Sequence, residues 1–196
     1  CASTKLVDSW SDPNAITKPL ERILVLGVMR DDMQRRVYED GFVKRLSKRG
    51  VVGIAGYTVM PNREDYDEKD EIKAAVKETR ADAALIARLV AVTKEEQYIP
   101  PSYRYTPSFG YGRGLYDYYG MSYHMTYEPG RTVTNTIVQL ETTVFETKTE
   151  KMVWVGATRS SNPSSTKSLV NSNADLIVAD MKKAGHTRSE YSITYR

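Results

Sequence analysis

Two histidines, one cysteine and two short loops are where this 196-residue sequence sets out residue types that could do chemistry. Nucleophilic catalysis needs a base poised beside Ser, Thr or Cys. His124 stands in a tyrosine-rich stretch and His186 follows the last helical pattern, and neither sits in a G-x-S-x-G turn or an H-E-x-x-H helix. Two isolated histidines supply no metal-ligand set. "GYGRG" (110–114) has the glycine spacing of a phosphate loop without its Lys-Ser/Thr pair, and it does not follow the first strand pattern. "NREDYDEKDE" (62–71) is acidic but lacks the ligand order and central glycine of an EF-hand. It reads as a solvated loop entering a helix, where carboxylates complement the helix dipole. The expectation is a protein without catalytic residues, metal or cofactor.

The cysteine carries a different chemistry. The sequence begins "CASTKLVDSWSDP", and Cys1 is its sole cysteine, so no intramolecular disulfide can form. Bacterial lipoproteins are cleaved from a signal peptide immediately before a cysteine whose thiol and amine then take acyl chains. The expectation is such a lipoprotein, lipidated (palmitate and related chains) at Cys1, with Ala2 compatible with the outer membrane. Several acyl chains, each contributing ~0.8 kcal/mol per buried methylene, exceed what stable anchoring needs. The partner implied is a membrane, with the body facing the periplasm.

Composition narrows the remaining classes. Lys and Arg number 28 against 25 Asp and Glu, a net charge of +3, which is too balanced for a nucleic-acid-binding face. No apolar run approaches the ~18 residues of a membrane-spanning helix. Apolar residues at 40% are enough to build one globular core.

The elements that must position these residues follow from periodicity. "ERILVLGVM" (21–29), "VVGIAGYTVM" (51–60) and "ADAALIARLVAVTKEE" (81–96) read as buried strands. Between the first two, Asp31 or Asp32 caps a helix that ends at Gly50, with Tyr38, Phe42 and Leu46 on one face and Val43 beside them. "KDEIKAAVKETR" is a second helix with Ile72, Ala75, Val76 and Thr79 inward. A hairpin follows later, with Val138, Leu140, Thr142 and Val144 inward on one strand and Val153, Val155 and Ala157 on the other. The last helix carries Val170, Ala174, Ile177 and Met181 on one stripe. The expected fold is α/β: a small mixed sheet of about five strands with three helices, in the order βαβαβ, tyrosine-rich loop, ββα. Residues 1–20 are expected to be a tether, 21–185 a single domain, and 186–196 a tail.

Interrupting that order, residues 97–130 hold nine of the 14 tyrosines, five glycines and four prolines. A 34-residue excursion is longer than ordinary connections and is usually functional or disordered. Tyrosine offers large, stiff contact area at low entropic cost. The leading expectation is a partner-docking surface carried by Tyr103, Tyr105, Tyr116, Tyr118, Tyr119 and Tyr123, for another envelope protein or a second copy. Stacking on peptidoglycan or another glycan, a lid over the sheet edge, and an extended hairpin implied by period-two tyrosines are the alternatives.

"CAST", "SWSDP", the segment "RILVLGVMRDDMQRRVYEDGFVKRLSKRGVVGIAGYTVMP", "ADAALIARLV" and "KMVWVGAT" resemble a set of uncharacterised bacterial envelope lipoproteins. More loosely, the topology is similar to the TolB amino-terminal domain, to peptidoglycan-synthase-activator lipoproteins and to the curli-export lipoprotein. The resemblance implies a location more than a reaction. The functional expectation is an outer-membrane-anchored, non-catalytic interaction or assembly module. A subunit of an oligomeric envelope machine (secretion channel or flagellar collar) and a regulator of a cell-wall synthase are the alternatives.

Overall fold

A strand flanked by charge and apolar throughout needs cover on both faces. "RILVLGV" has it: β2 (Arg22–Val28) buries Ile23 through Leu26 completely or nearly so. The computed structural model describes residues 3–14, 18–62, 68–105 and 125–187. In chain order the remaining elements are β1 (Ser3–Ser11), α1 (Asp32–Ser47), β3 (Val52–Ala55), α2 (Lys69–Thr79), β4 (Ala83–Ile99), β5 (Ser102–Tyr105), β6 (Met125–Glu128), β7 (Arg131–Glu146), β8 (Met152–Ser161) and α3 (Thr166–Lys183). Six strands form one mixed sheet in the order β1-β8-β7-β4-β2-β3, while β5 and β6 pair with each other. The α/β class and the three helices match the expectation. Chain folding separates a main unit, residues 1–93 with 136–196, from a second unit, residues 94–135.

In the main unit β2 runs parallel to both β3 and β4, and β8 runs antiparallel to β7 and β1. One face of the sheet lies under α1 and α3, where Tyr38, Phe42, Leu46, Val170, Ala174, Ile177 and Met181 join Ile23, Val25 and Leu85 in the larger core. On the other face, Ala75 of α2 meets Leu24 and Leu26 with Ala81 and Met60. The helix ends follow local chemistry. Asp31 caps α1 by accepting from the Gln34 amide at 2.7 Å, and Ser165 caps α3 by accepting from the Ser168 amide at 3.1 Å. Gly50 and Gly185 follow α1 and α3 with φ of 72° and 83°, the left-handed conformation that glycine adopts without strain. Within α1, Gly41 lies against Val170 so closely that a Cβ there would collide with its Cγ1.

Four expectations need correction. Most of the supposed tether is β1, an edge strand paired from Ser3↔Ser161 to Ser11↔Trp154. Its alternation of Ser, Lys and Asp suits an edge open to water, and that polar look conceals it in the sequence. On β8 the expected Val153 is buried, but from Trp154 on the buried positions are Trp154, Gly156, Thr158 and Ser160, opposite in parity to the expected Val155 and Ala157. These residues pair with Val144, Thr142, Leu140 and Val138, and Gly156 leaves room for the Trp154 ring. The strand expected over 51–60 turns after Ala55 into a short 3-10 helix at Gly56–Thr58. The tail expected from 186 starts with two residues, His186 and Thr187, that are buried.

Candidate functional site

Several charged or polar side chains inside the main unit tie its elements together. Glu39, fully buried, accepts from the Gly27 amide at 3.0 Å and the Tyr57 amide at 2.8 Å, fixing the end of β2 to the 3-10 helix. Arg35 donates to the Pro61 carbonyl at 3.1 Å and pairs with Asp32. Neighbouring Arg36 bonds Asp32 and, with Arg35, holds that carboxyl below its usual range; Arg36 also lies over the Tyr57 ring. Arg88 pairs with Glu141 at 2.8 Å on an exposed part of the sheet, which raises the guanidinium further. Tyr38 meets Thr142 at 3.3 Å, and burial pushes its phenol well up.

One pair has the look of chemistry. The Ser11 hydroxyl and His186 Nε2 are 2.6 Å apart, a nucleophile–base distance. A working triad also needs an acceptor on the other ring nitrogen. Among the described residues His186 Nδ1 has no hydrogen-bond partner, and the residue is 2% exposed. Burial lowers its pKa, with Asp12 and Asp180 pulling the other way. Its carbonyl accepts from Leu20, and Asp180 accepts from Trp154 Nε1 at 3.1 Å, so the cluster fastens β1, β8 and the end of α3 together. Trp154 thus packs in the core, whereas Trp10 is 49% exposed on the edge strand. Among the described residues, no three His, Cys, Asp or Glu side chains gather as a metal site.

The second unit presents the aromatic surface. β5 and β6 pair antiparallel in the register Ser102↔Glu128, Tyr103↔Tyr127, Arg104↔Thr126, Tyr105↔Met125. The period-two tyrosines there do alternate along paired strands. Tyr103 and Tyr127 stand opposite each other with ring centroids 5.2 Å apart and planes tilted by 49°. They are 71% and 53% exposed, and Tyr98 is 65% exposed. At Gly130 a Cβ would come within 2.5 Å of the Tyr98 hydroxyl and 3.0 Å of Pro101 Cδ, so a side chain there would push the exposed Tyr98 ring aside.

Of the six tyrosines expected to bind a partner, Tyr103 is on this surface. Tyr105 lies in β5 with its side chain outside the described residues, as Tyr116, Tyr118, Tyr119 and Tyr123 are entirely. Cys1, His124 and "GYGRG" also lie outside them. Tyr98 and Tyr127 were missed as binding candidates. The signal was there: each lies two or three residues from a proline corner, Pro100-Pro101 or Pro129-Gly130, that marks a strand end.

No family model matches this chain, and no curated protein does. Among solved structures, it is similar to the PelC dodecamer from Paraburkholderia phytofirmans, with a TM-score of 0.44 and 10% identity over 96% of this chain and 100% of that one. A variant of the same dodecamer gives a TM-score of 0.45 and 11% identity over 90% and 96%. It is also similar to lipoprotein GNA1162 from Neisseria meningitidis, with a TM-score of 0.44 and 14% identity over 83% of this chain and 99% of that one.

Proposed function

We propose that this protein is a non-catalytic interaction module of the bacterial envelope, held at the outer membrane by acyl chains on Cys1 and docking a protein partner through its aromatic strand pair. The observation that carries the reading is the exposure of Tyr98, Tyr103 and Tyr127 on the second unit. Tyrosines presented this way are the anchors that recognition surfaces favour, because a ring with two torsions loses little entropy on docking. Confinement to a membrane surface raises effective concentration near such a partner. The test is photocrosslinking in cells from positions 103 and 127, with 52 on the edge strand β3 as control. One defined adduct from the tyrosine positions alone is expected, and adducts of equal yield from all three overturn the reading. Mass spectrometry of the native protein checks the anchor through the acyl mass on the peptide containing Cys1.

A second reading, a structural subunit of an oligomeric envelope machine, draws on the pairing of β5 and β6. Among the described residues these strands pair only with each other. A two-stranded ribbon is marginal in water by itself, and a neighbouring copy adding strands would steady it. Light scattering on detergent-extracted protein separates the two: a large symmetric oligomer supports the machine, a monomer the module.

A further inference from the structure

We infer that the main unit holds a binding site for a single-chain zwitterionic lipid, in the groove where β2 ends and β4 continues. The topology puts a groove there. From β2 the chain crosses through α1 to β3 on one side and then through α2 to β4 on the other, so neighbouring parallel strands diverge in connection between β2 and β4. In open α/β sheets, ligands bind at such a point, beyond the carboxyl ends of the strands. The last pair between the two strands is Val28↔Arg88, yet β4 runs on to Ile99. Beyond that pair Leu89 and Val92 of β4 are 48% and 57% exposed, and both line a groove.

The resulting groove has a volume of about 450 Å³. That lies in the range of small-molecule sites, which are mostly apolar with a few polar groups at defined places. Its walls include Val28, Leu89, Val92, Val138, Leu140 and Leu169, with no charged residue among them. Charges stand at one end, where adjacent Arg30 and Asp31 line it together. Both residues are exposed, and the Asp31 carboxylate also caps α1. An aliphatic tail along the walls would place its head beside one positive and one negative charge. A head carrying phosphate and ammonium complements both; an anionic head meets Asp31 and a cationic head meets Arg30. The inference rests on neither the Cys1 anchor nor the tyrosine surface.

The test is methyl NMR of the full chain titrated with dodecylphosphocholine below its micelle concentration. Saturable shifts are expected at Val28, Leu89, Val92 and Leu169, and none at Ile72 or Val76 on the opposite face of the sheet. Leu89→Glu, at a site already half open to water, should weaken binding at least tenfold with the core methyls of Val144 and Ile177 unmoved. Arg30→Gln and Asp31→Asn should each weaken it several-fold while leaving binding of a neutral dodecyl maltoside unchanged; asparagine keeps the helix cap. Shifts that never saturate, or that spread to exposed Val7 and Val52, overturn the site. Affinity indifferent to both charge substitutions overturns the zwitterionic head.

Discussion

A buried imidazole gives the sharpest expectation at the scale of single residues. The ordinary histidine pKa is ~6.5, and burial holds that of His186 below it. Between the two values the unfolded chain binds a proton that the folded protein does not, so stability rises with pH across that window and falls as the solution is acidified. Relative to wild type, His186→Gln is expected to flatten the dependence of the urea midpoint on pH below ~6.5, because glutamine does not titrate. An unaltered slope in the variant would show that His186 is not the group responsible. Thr158 and Asn173 illustrate a different residue-scale point. Their hydroxyl and amide oxygen are 2.5 Å apart within the core, and the partners are 2% and 0% exposed. Neither shows in a pattern of apolar stripes, since each is a polar residue whose buried atom is satisfied within the core.

Whole elements were legible where one period ran uninterrupted. Tyr38, Phe42 and Leu46 on α1, and Val170, Ala174, Ile177 and Met181 on α3, are all buried as their four-residue or mixed spacing implies. So are Val138, Leu140, Thr142 and Val144 of β7. Legibility ends where the pattern depends on a neighbour. The register of β7 against β8 shifts between Val144 and Phe145, and the turn beyond it hides which face of β8 looks inward. β1 is a strand because β8 offers it an edge, a fact that no local composition encodes. The tyrosine pair was half legible: alternation suggested strands, but the Tyr103↔Tyr127 register needs a partner 24 residues away. Gly41 belongs at this scale too. An alanine there gains ~1 kcal/mol in helix propensity, but overpacking at a closed helix contact costs about 1–3 kcal/mol. Because Val170 is already in the way, Gly41→Ala is expected to lower stability by up to about 2 kcal/mol in urea denaturation, and a rise would mean that α1 and α3 can separate freely.

Considered whole, the molecule keeps both hydrophobic clusters within one of its two units: every buried residue of either cluster falls in 1–93 or 136–196. Replacing residues 94–135 with an Asn-Gly turn between Thr93 and Thr136 is therefore expected to leave a cooperatively folding protein. Its thermal midpoint should lie within a few degrees of the full chain, measured by circular dichroism; loss of the cooperative transition would show that the excised residues support the core. The same protein should lose the crosslinks expected from positions 103 and 127, which separates docking from folding. The rims of the six-stranded sheet carry a last consequence. One rim, β3, is four residues long, and along the other the pairing of β1 slips between Leu6 and Asp8, where Val7 has no opposite number. A short rim and a kinked rim are both poor templates for another molecule's backbone, so crowding many copies side by side should not zip them into fibrils.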